Sequence, residues 1–395
     1  MITILDSPCG RGKTSYMINM INENPTASYI YITPFLNEVN RIIKETKYNN
    51  VATRFVQPTN LGSGKMNSLV NLLDNSKDIV TTHALFTNCS KDIVGKIQSG
   101  HYTLILDEVM DVVQIIPIKK EDLSLLISTK TATVDAESGL LTWEKDDYDG
   151  RFKDIMEMCK NNHVFIVNDT AIVWTFPIEI FKAFDEVYIC TYLFDCQIQK
   201  YYYDLYNVEY KKVSVDNGEL IPYVLQKDNL EHIFIAESGK INNIGSGKYD
   251  LSLSWYNKHT ESLPMIKKNM VNFVKNHLTS AIGRSVKSKD TFWTTFKEYQ
   301  PKLAGKGYAK SFAPCNLRAT NDYKDRYVIL YMINVFINQL IVKFFEQHNV
   351  KVDQDLYALS EMIQFIYRTR VREGKDVYCY IPSARMREIF YKFRA

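Results

Sequence analysis

No run of apolar residues in the sequence approaches the ~20 that a bilayer-spanning helix requires, which excludes an ordinary membrane protein. The seven cysteines, at 9, 89, 159, 190, 196, 315 and 379, form no C-x-x-C pair, and Cys190 and Cys196 have no histidine nearby in sequence. That pattern speaks against a thiolate zinc site and fits reduced thiols in a cytosolic protein. Neither H-E-x-x-H nor G-x-S-x-G occurs, and the seven histidines are scattered, so metalloprotease and serine-hydrolase chemistry lack support. Neither sign of charge dominates: 48 Lys and Arg face 45 Asp and Glu, for a net +3, so any basic binding face is local. The first apolar strand leaves no room for a signal peptide. The expectation is a soluble cytoplasmic protein without a membrane partner.

A chain of 395 residues exceeds what one core usually supports, and two domains are expected, placed at 1–203 and 204–395. Short β-branched runs alternate with longer amphipathic segments, the rhythm of an α/β protein with parallel sheets flanked by helices. Strands are expected at 2–6, 28–33, 79–82, 103–107, 163–168 and 186–190, then at 210–215, 232–236, 291–296, 307–312, 326–333 and 376–381. Helices are expected at 13–22, 36–46, 66–73, 83–88, 152–160 and 177–184, then at 265–278, 358–372 and 383–393. Residues 118–150 read as a polar surface excursion, with a hairpin around Glu137-Ser138-Gly139. Most of the 26 Tyr and 20 Phe are assigned to core packing, with base stacking as the alternative use. Gly245-Ser246-Gly247-Lys248 echoes a phosphate loop but lacks the following hydroxyl, and reads as a plain loop.

The most informative segment comes after the first strand: Ser7-Pro8-Cys9-Gly10-Arg11-Gly12-Lys13-Thr14-Ser15. It matches G-x-x-x-x-G-K-[ST] except at its first position, where Ser7 replaces Gly. Such a loop gathers backbone N–H groups and a helix N-terminus around phosphate oxygens. Lys13 is assigned to the β/γ-phosphates and Thr14 to Mg²⁺, which makes ATP with Mg²⁺ the expected cofactor pair. About a hundred residues later an apolar strand ends in Asp107-Glu108. Asp107 suits the Mg²⁺ and Glu108 the polarisation of an attacking water. Asp111, just beyond, reads as an anchor of that loop.

Far downstream, Gln364, Arg368 and Arg372 recur every four residues, which puts all three on one face of the expected helix. An arginine there suits transition-state charge on a γ-phosphate; a solvated or backbone-binding basic face is the alternative. A further basic cluster, Arg385, Arg387, Lys392 and Arg394, closes the sequence, and a helix end complementing its own dipole accounts for it equally well.

Taken in order, Asp6 to Thr14, Thr103 to Glu108 and Gln364 to Arg372 resemble motifs I, II and VI of superfamily 2 helicases, the DEAD/DEAH-like translocases. The resemblance is closest to compact helicase-like proteins of bacteriophages. Less specific matches lie between: Tyr31-Ile32-Thr33-Pro34 for motif Ia, Val80-Thr81-Thr82-His83 for Ib, and Cys190-Thr191-Tyr192 for III. Trp293 to Lys297 stands for motif IV, and Asn316 to Asn321 for V.

The resemblance implies two tandem RecA-like P-loop domains and ATP hydrolysis in a cleft between them. It also implies stepping along single-stranded or forked nucleic acid, DNA rather than RNA, in phage replication or recombination, with replication proteins as possible partners. Strand contacts would come from Thr33, Pro34, Thr82, Thr191, Thr295, Lys297, Arg318 and Thr320. Three departures stand out. Motif II reads Asp-Glu-Val-Met, which puts Met110 where the family couples to motif VI. The family's second motif VI arginine falls on Val371, between Arg370 and Arg372, leaving the finger unassigned. And no adenine-reading segment precedes Ser7. A terminase-like packaging ATPase and a nucleotide-gated nucleic-acid loader are the competing readings.

Overall fold

The computed structural model describes residues 1–48, 52–60, 62, 64–237, 239–283, 285–315 and 322–395. The chain packs as two compact units. One comprises Met1–Asp6, Gly12–Val224 and Ile337–Val352; the other comprises Ser7–Arg11, Leu225–Phe336 and Asp353–Ala395.

The first unit is built on β1 (Ile2–Asp6), β2 (Ser28–Thr33), β3 (Ile79–Thr82) and β4 (Tyr102–Asp107). A middle module comes next, with β5 (Val113–Ile116), a hairpin of β6 (Ala132–Val134) and β7 (Leu141–Trp143), then β8 (Val164–Val167) and β9 (Ala171–Thr175). The main sheet is completed by β10 (Glu186–Thr191), β11 (Tyr210–Asp216) and β12 (Glu219–Pro222). Its order is β12-β11-β1-β10-β4-β2-β3, parallel throughout except where β12 runs antiparallel to β11. Along β4, Leu104 and Leu106 face one core while Ile105 faces the other, and all three are fully buried. Burial on both faces is why these strands read as continuous apolar runs. Each such side chain contributes roughly 1.5–3 kcal/mol of transfer free energy. The helix Lys13–Glu23 covers one face through Met17, Ile18 and Ile21.

The expected hairpin turns at Glu137-Ser138-Gly139, with the Ser138 N–H and hydroxyl both donating to the Asp135 carboxylate. Residues 118–150 are more ordered than a surface excursion: a helix, Lys120–Ser128, buries Leu123 and Leu126, and the hairpin buries Ala132 and Leu141; around them β5, β8 and β9 form a three-stranded antiparallel sheet in the order β8-β9-β5. The Tyr201-Tyr202-Tyr203 stretch lies in the helix Ile198–Leu205, and all three rings are buried. A helix not anticipated from the sequence, Gln339–Gln347, also belongs to this unit. Its Phe344 ring lies 5.3 Å from Phe165 of β8 and its Phe345 ring 6.0 Å from Tyr201.

In the second unit β13 (Ile233–Ile235), β14 (Thr291–Thr294), β15 (Val328–Tyr331) and β16 (Val377–Tyr380) form a fully parallel sheet in the order β13-β16-β15-β14. The strand expected at 307–312 is a turn and a short 3₁₀ segment, Ala309–Ser311, touching the sheet by one bridge from Phe312 to Trp293. The long arginine helix is also shorter than expected. It spans Gln354–Ile366 and stops before Arg368, because the Thr369 hydroxyl takes the Ile366 carbonyl and the Arg368 N–H turns to Phe365. Arg370–Glu373 then forms a separate 3₁₀ turn, so Gln364, Arg368 and Arg372 do not share one continuous helical face.

Candidate nucleotide site

The loop after β1 takes the form its glycines permit. Gly10 and Gly12 have φ of 93° and 85°, values that L side chains adopt only with strain. Gly12 is the N-cap of the helix Lys13–Glu23 and has no side chain with which to close its first turn. That turn also contains no acidic residue, so the positive end of the helix dipole meets no anion of its own. Ser7 is completely buried, which suits a small hydroxyl residue at the tightest point of the loop.

The strand order brings the acidic residues to this loop, with β10 lying between β1 and β4. The Thr14 hydroxyl donates to Asp107 Oδ1 at 3.4 Å. Burial, reinforced by Glu108 and Glu38 and opposed by Lys13 and Arg41, pushes the Asp107 carboxyl up to about 7. A hydroxyl and a carboxylate this close form a hard oxygen set of the kind that holds Mg²⁺. A divalent cation would favour the anionic carboxylate that burial disfavours.

Glu108 is buried and has φ of 73°, unusual for a side chain of its size. Its N–H donates to the Cys190 carbonyl at 2.8 Å, and its Oε2 accepts from the Thr191 hydroxyl at 3.5 Å. Thr191 in turn bonds Gln197, and the Met110 N–H donates to Gln199 Oε1 at 3.0 Å. Asp6 ends β1 with its carboxylate accepting the N–H groups of Leu193 (2.7 Å) and Phe194 (3.0 Å). Burial raises the Asp6 pKa against those bonds and the charges of Lys13 and Lys212. The roles of Asp6, Gln197 and Gln199 are not readable from sequence: an acid at a strand end or a glutamine at a helix start has no distinguishing pattern.

In the second unit, a cavity of about 500 Å³ is lined by Pro8, Cys9, Gly10, Arg11, Asp228 and Arg372 among others. Arg11 Nε lies 2.6 Å from Asp228. Gln364 is buried, with its Nε2 donating to Ser360, and Arg368 is only 5% exposed. Arg370 donates to the Asp376 carbonyl at 2.6 Å and lies over the Tyr327 ring, a structural commitment.

The nucleic-acid contacts expected from the sequence divide. Lys297 is exposed, and Pro34 and Thr82 are half-buried. Thr33, Thr191 and Thr295 are buried, which removes their hydroxyls from any accessible strand-binding surface, and Thr191 is engaged with Glu108 and Gln197. Arg318 and Thr320 lie outside the described residues. No helix among the described residues is long and apolar enough to cross a membrane.

This geometry can be set beside known proteins. A protein of Bacillus subtilis (strain 168), the SPbeta prophage-derived uncharacterized protein YonV, is 38% identical over 98% of this chain and 97% of its own. The chain belongs to the YonV family. Two family descriptions match: the YonV middle domain over residues 113–174 and the YonV C-terminal Rossmann-like domain over 227–394. The first covers the antiparallel module and the second all four strands of the smaller parallel sheet. Among solved structures, S. tokodaii Xpd4 aligns over 100% of this chain and 94% of its own with a TM-score of 0.52 at 12% identity. A second, described as XPD_APO, aligns over 99% and 94% with a TM-score of 0.47 at 10% identity. This YonV-family chain therefore has a helicase-like fold, and its parallel sheets flanked by helices fit two RecA-like domains.

Proposed function

We propose that this protein is an ATP-dependent nucleic-acid translocase of the superfamily 2 type, with helicase activity on single-stranded or forked DNA. The observation that carries the reading is the convergence of the Ser7–Thr14 loop with Asp107 and Glu108 on one side of a parallel sheet, Thr14 within 3.4 Å of Asp107. The loop's N–H groups and Lys13 bind the β- and γ-phosphates. Thr14 and Asp107 would hold Mg²⁺, which supplies charge neutralisation on the phosphates. Glu108 orients and deprotonates the attacking water. Arg368 and Arg372 are the candidates for neutralising charge on the transferred phosphate. Arg370 is spoken for by Asp376 and Tyr327. The exposed Lys297 contributes to strand binding through phosphates, so little sequence preference is expected. The role in this reading is phage DNA replication or recombination in the host cytoplasm; the prophage-derived relative supports the phage setting alone.

The test is ATP turnover with and without single-stranded DNA or RNA, on the wild type, Lys13→Ala and Glu108→Gln. Stimulation by DNA and its loss in both variants is expected. Normal hydrolysis by Glu108→Gln would remove the assignment of motif II. Turnover indifferent to nucleic acid, with ATP altering only the grip on it, would establish the loader reading instead.

A further inference from the structure

The residue assigned to the attacking water has a backbone that should not be stable by itself. A left-handed conformation is disfavoured at a non-glycine residue by the clash of Cβ with the backbone, and Glu108 sits there in a buried environment. Such strain persists only where neighbours over-determine it. The neighbours are identifiable. On one side the Cys190 carbonyl takes the Glu108 N–H and Thr191 takes its carboxylate. On the other, two glutamines at the start of the helix Ile198–Leu205 complete the hold. Gln197, 4% exposed, donates from Nε2 to Thr191 Oγ1 (3.0 Å) and to the Tyr192 carbonyl (2.8 Å). Gln199, 1% exposed, accepts the Met110 N–H through Oε1 and donates to the Tyr203 hydroxyl at 3.0 Å. Met110 is the position where the acidic motif departs from the helicase pattern, and the helix grips it by its backbone N–H.

The far end of the same helix engages the middle module. Tyr202 donates its hydroxyl to the Phe176 carbonyl at 2.8 Å. Tyr206, the C-cap, meets Thr175 Oγ1 at 2.6 Å and His163 Nδ1 at 2.9 Å, the residues ending β9 and preceding β8. One short helix thus reaches from the 108–110 segment to the antiparallel sheet. We propose that Gln197 and Gln199 are positioning residues for Glu108, holding the 108–110 segment so that Glu108 keeps its left-handed conformation and tying that conformation to the middle module. The inference rests on the hydrolytic reading of Glu108 for its consequence in turnover, but not for the hold itself.

Two measurements separate the two. Amide hydrogen exchange reads the hold directly: Gln199→Met, which keeps the volume but loses the acceptor, should speed exchange at Met110 by roughly tenfold or more. Gln199→Glu, which keeps an acceptor oxygen in either protonation state, should restore protection, with exchange in β2 unchanged in both. Turnover reads the consequence: Gln197→Met and Gln199→Met should lower kcat by about tenfold or more while KM for ATP stays within about twofold. Gln199→Glu should recover most of kcat. Unchanged exchange at Met110 in Gln199→Met overturns the proposal, as does a loss of kcat that Gln199→Glu fails to rescue or that is matched by lost ATP affinity. A wild type no faster than Lys13→Ala overturns the hydrolytic reading instead, and exchange at Met110 still decides whether the glutamines hold the segment.

Discussion

The C-terminal ends of β1 and β4 in the large sheet lead into Ser7 and Glu108, and the backbone there is left-handed at Gly10, Gly12 and Glu108, as it is at Leu193 after β10. The ends of β14, β15 and β16 in the small sheet run on into Thr295, Met332 and Ile381, all buried. Beyond those ends Asn334 donates to the Lys248 and Asp250 carbonyls and accepts from Arg385, while Ser383 caps the last helix. In the large sheet, by contrast, carboxyls gather at Asp6, Asp107 and Glu108, the first and last buried and Asp107 partly so, and desolvation raises the first two above their ordinary values. The same parallel architecture thus ends in buried side chains in one case and in left-handed backbone and carboxyls in the other.

The sharpest way to break the contrast is at those carboxyls. Glu108→Gln should lower turnover by about 10²–10³-fold and leave nucleotide binding intact, checked by steady-state kinetics alongside titration with a fluorescent ATP analogue. Next, Mg²⁺ added with a nonhydrolysable ATP analogue should stabilise the wild type by roughly 2–3 kcal/mol near a hundredfold excess over Kd. In Asp107→Asn the Mg²⁺-dependent part of that gain should vanish from the thermal melt.

In the second unit, Arg370→Ala should cost about 1–2 kcal/mol of stability through its lost carbonyl bond and ring contact, with kcat unchanged. Arg372→Ala should do the reverse, reducing kcat at little cost in melting temperature.

The smallest effect concerns His163, which bonds Glu179, Thr175 and Tyr206, with Lys91 paired to the same glutamate. Burial holds its pKa below the ordinary 6.5, against the pull of Glu179. The unfolded chain therefore binds the proton first, so this contribution is complete above about pH 6.5 and is lost as pH falls. His163→Gln should flatten chemical-denaturation stability over that acidic range.

The strand–loop–helix around Ser7–Thr14 and the strand ending at Asp107 were legible because an apolar run followed by a glycine-rich turn or by adjacent carboxyls marks their bounds in contiguous residues. The large sheet's parallel strands were legible because burial on both faces leaves unbroken apolar runs. The arginine segment misled because a repeat of four continues through Arg372 in the sequence, whereas Thr369 ends the helix through a local side-chain bond that periodicity does not register. The strands Val113–Ile116 and Ala171–Thr175 were missed because each is short and pairs only with distant segments. The helix Gln339–Gln347 was missed for a related reason: its apolar face answers to partners far earlier in the chain.

That last helix bears on how the protein is made. The first unit is discontinuous, closed by Ile337–Val352 after more than a hundred residues of the second unit have been synthesised. Until then Phe165 lacks Phe344, Tyr201 lacks Phe345, and the Ser138 carbonyl lacks His348 Nε2 at 3.1 Å. A nascent chain halted at Val224 would carry the whole phosphate loop and acidic strand yet display an unsealed apolar patch on its middle module. Completion of the first unit on the ribosome therefore waits until Leu225–Phe336 of the second has been made.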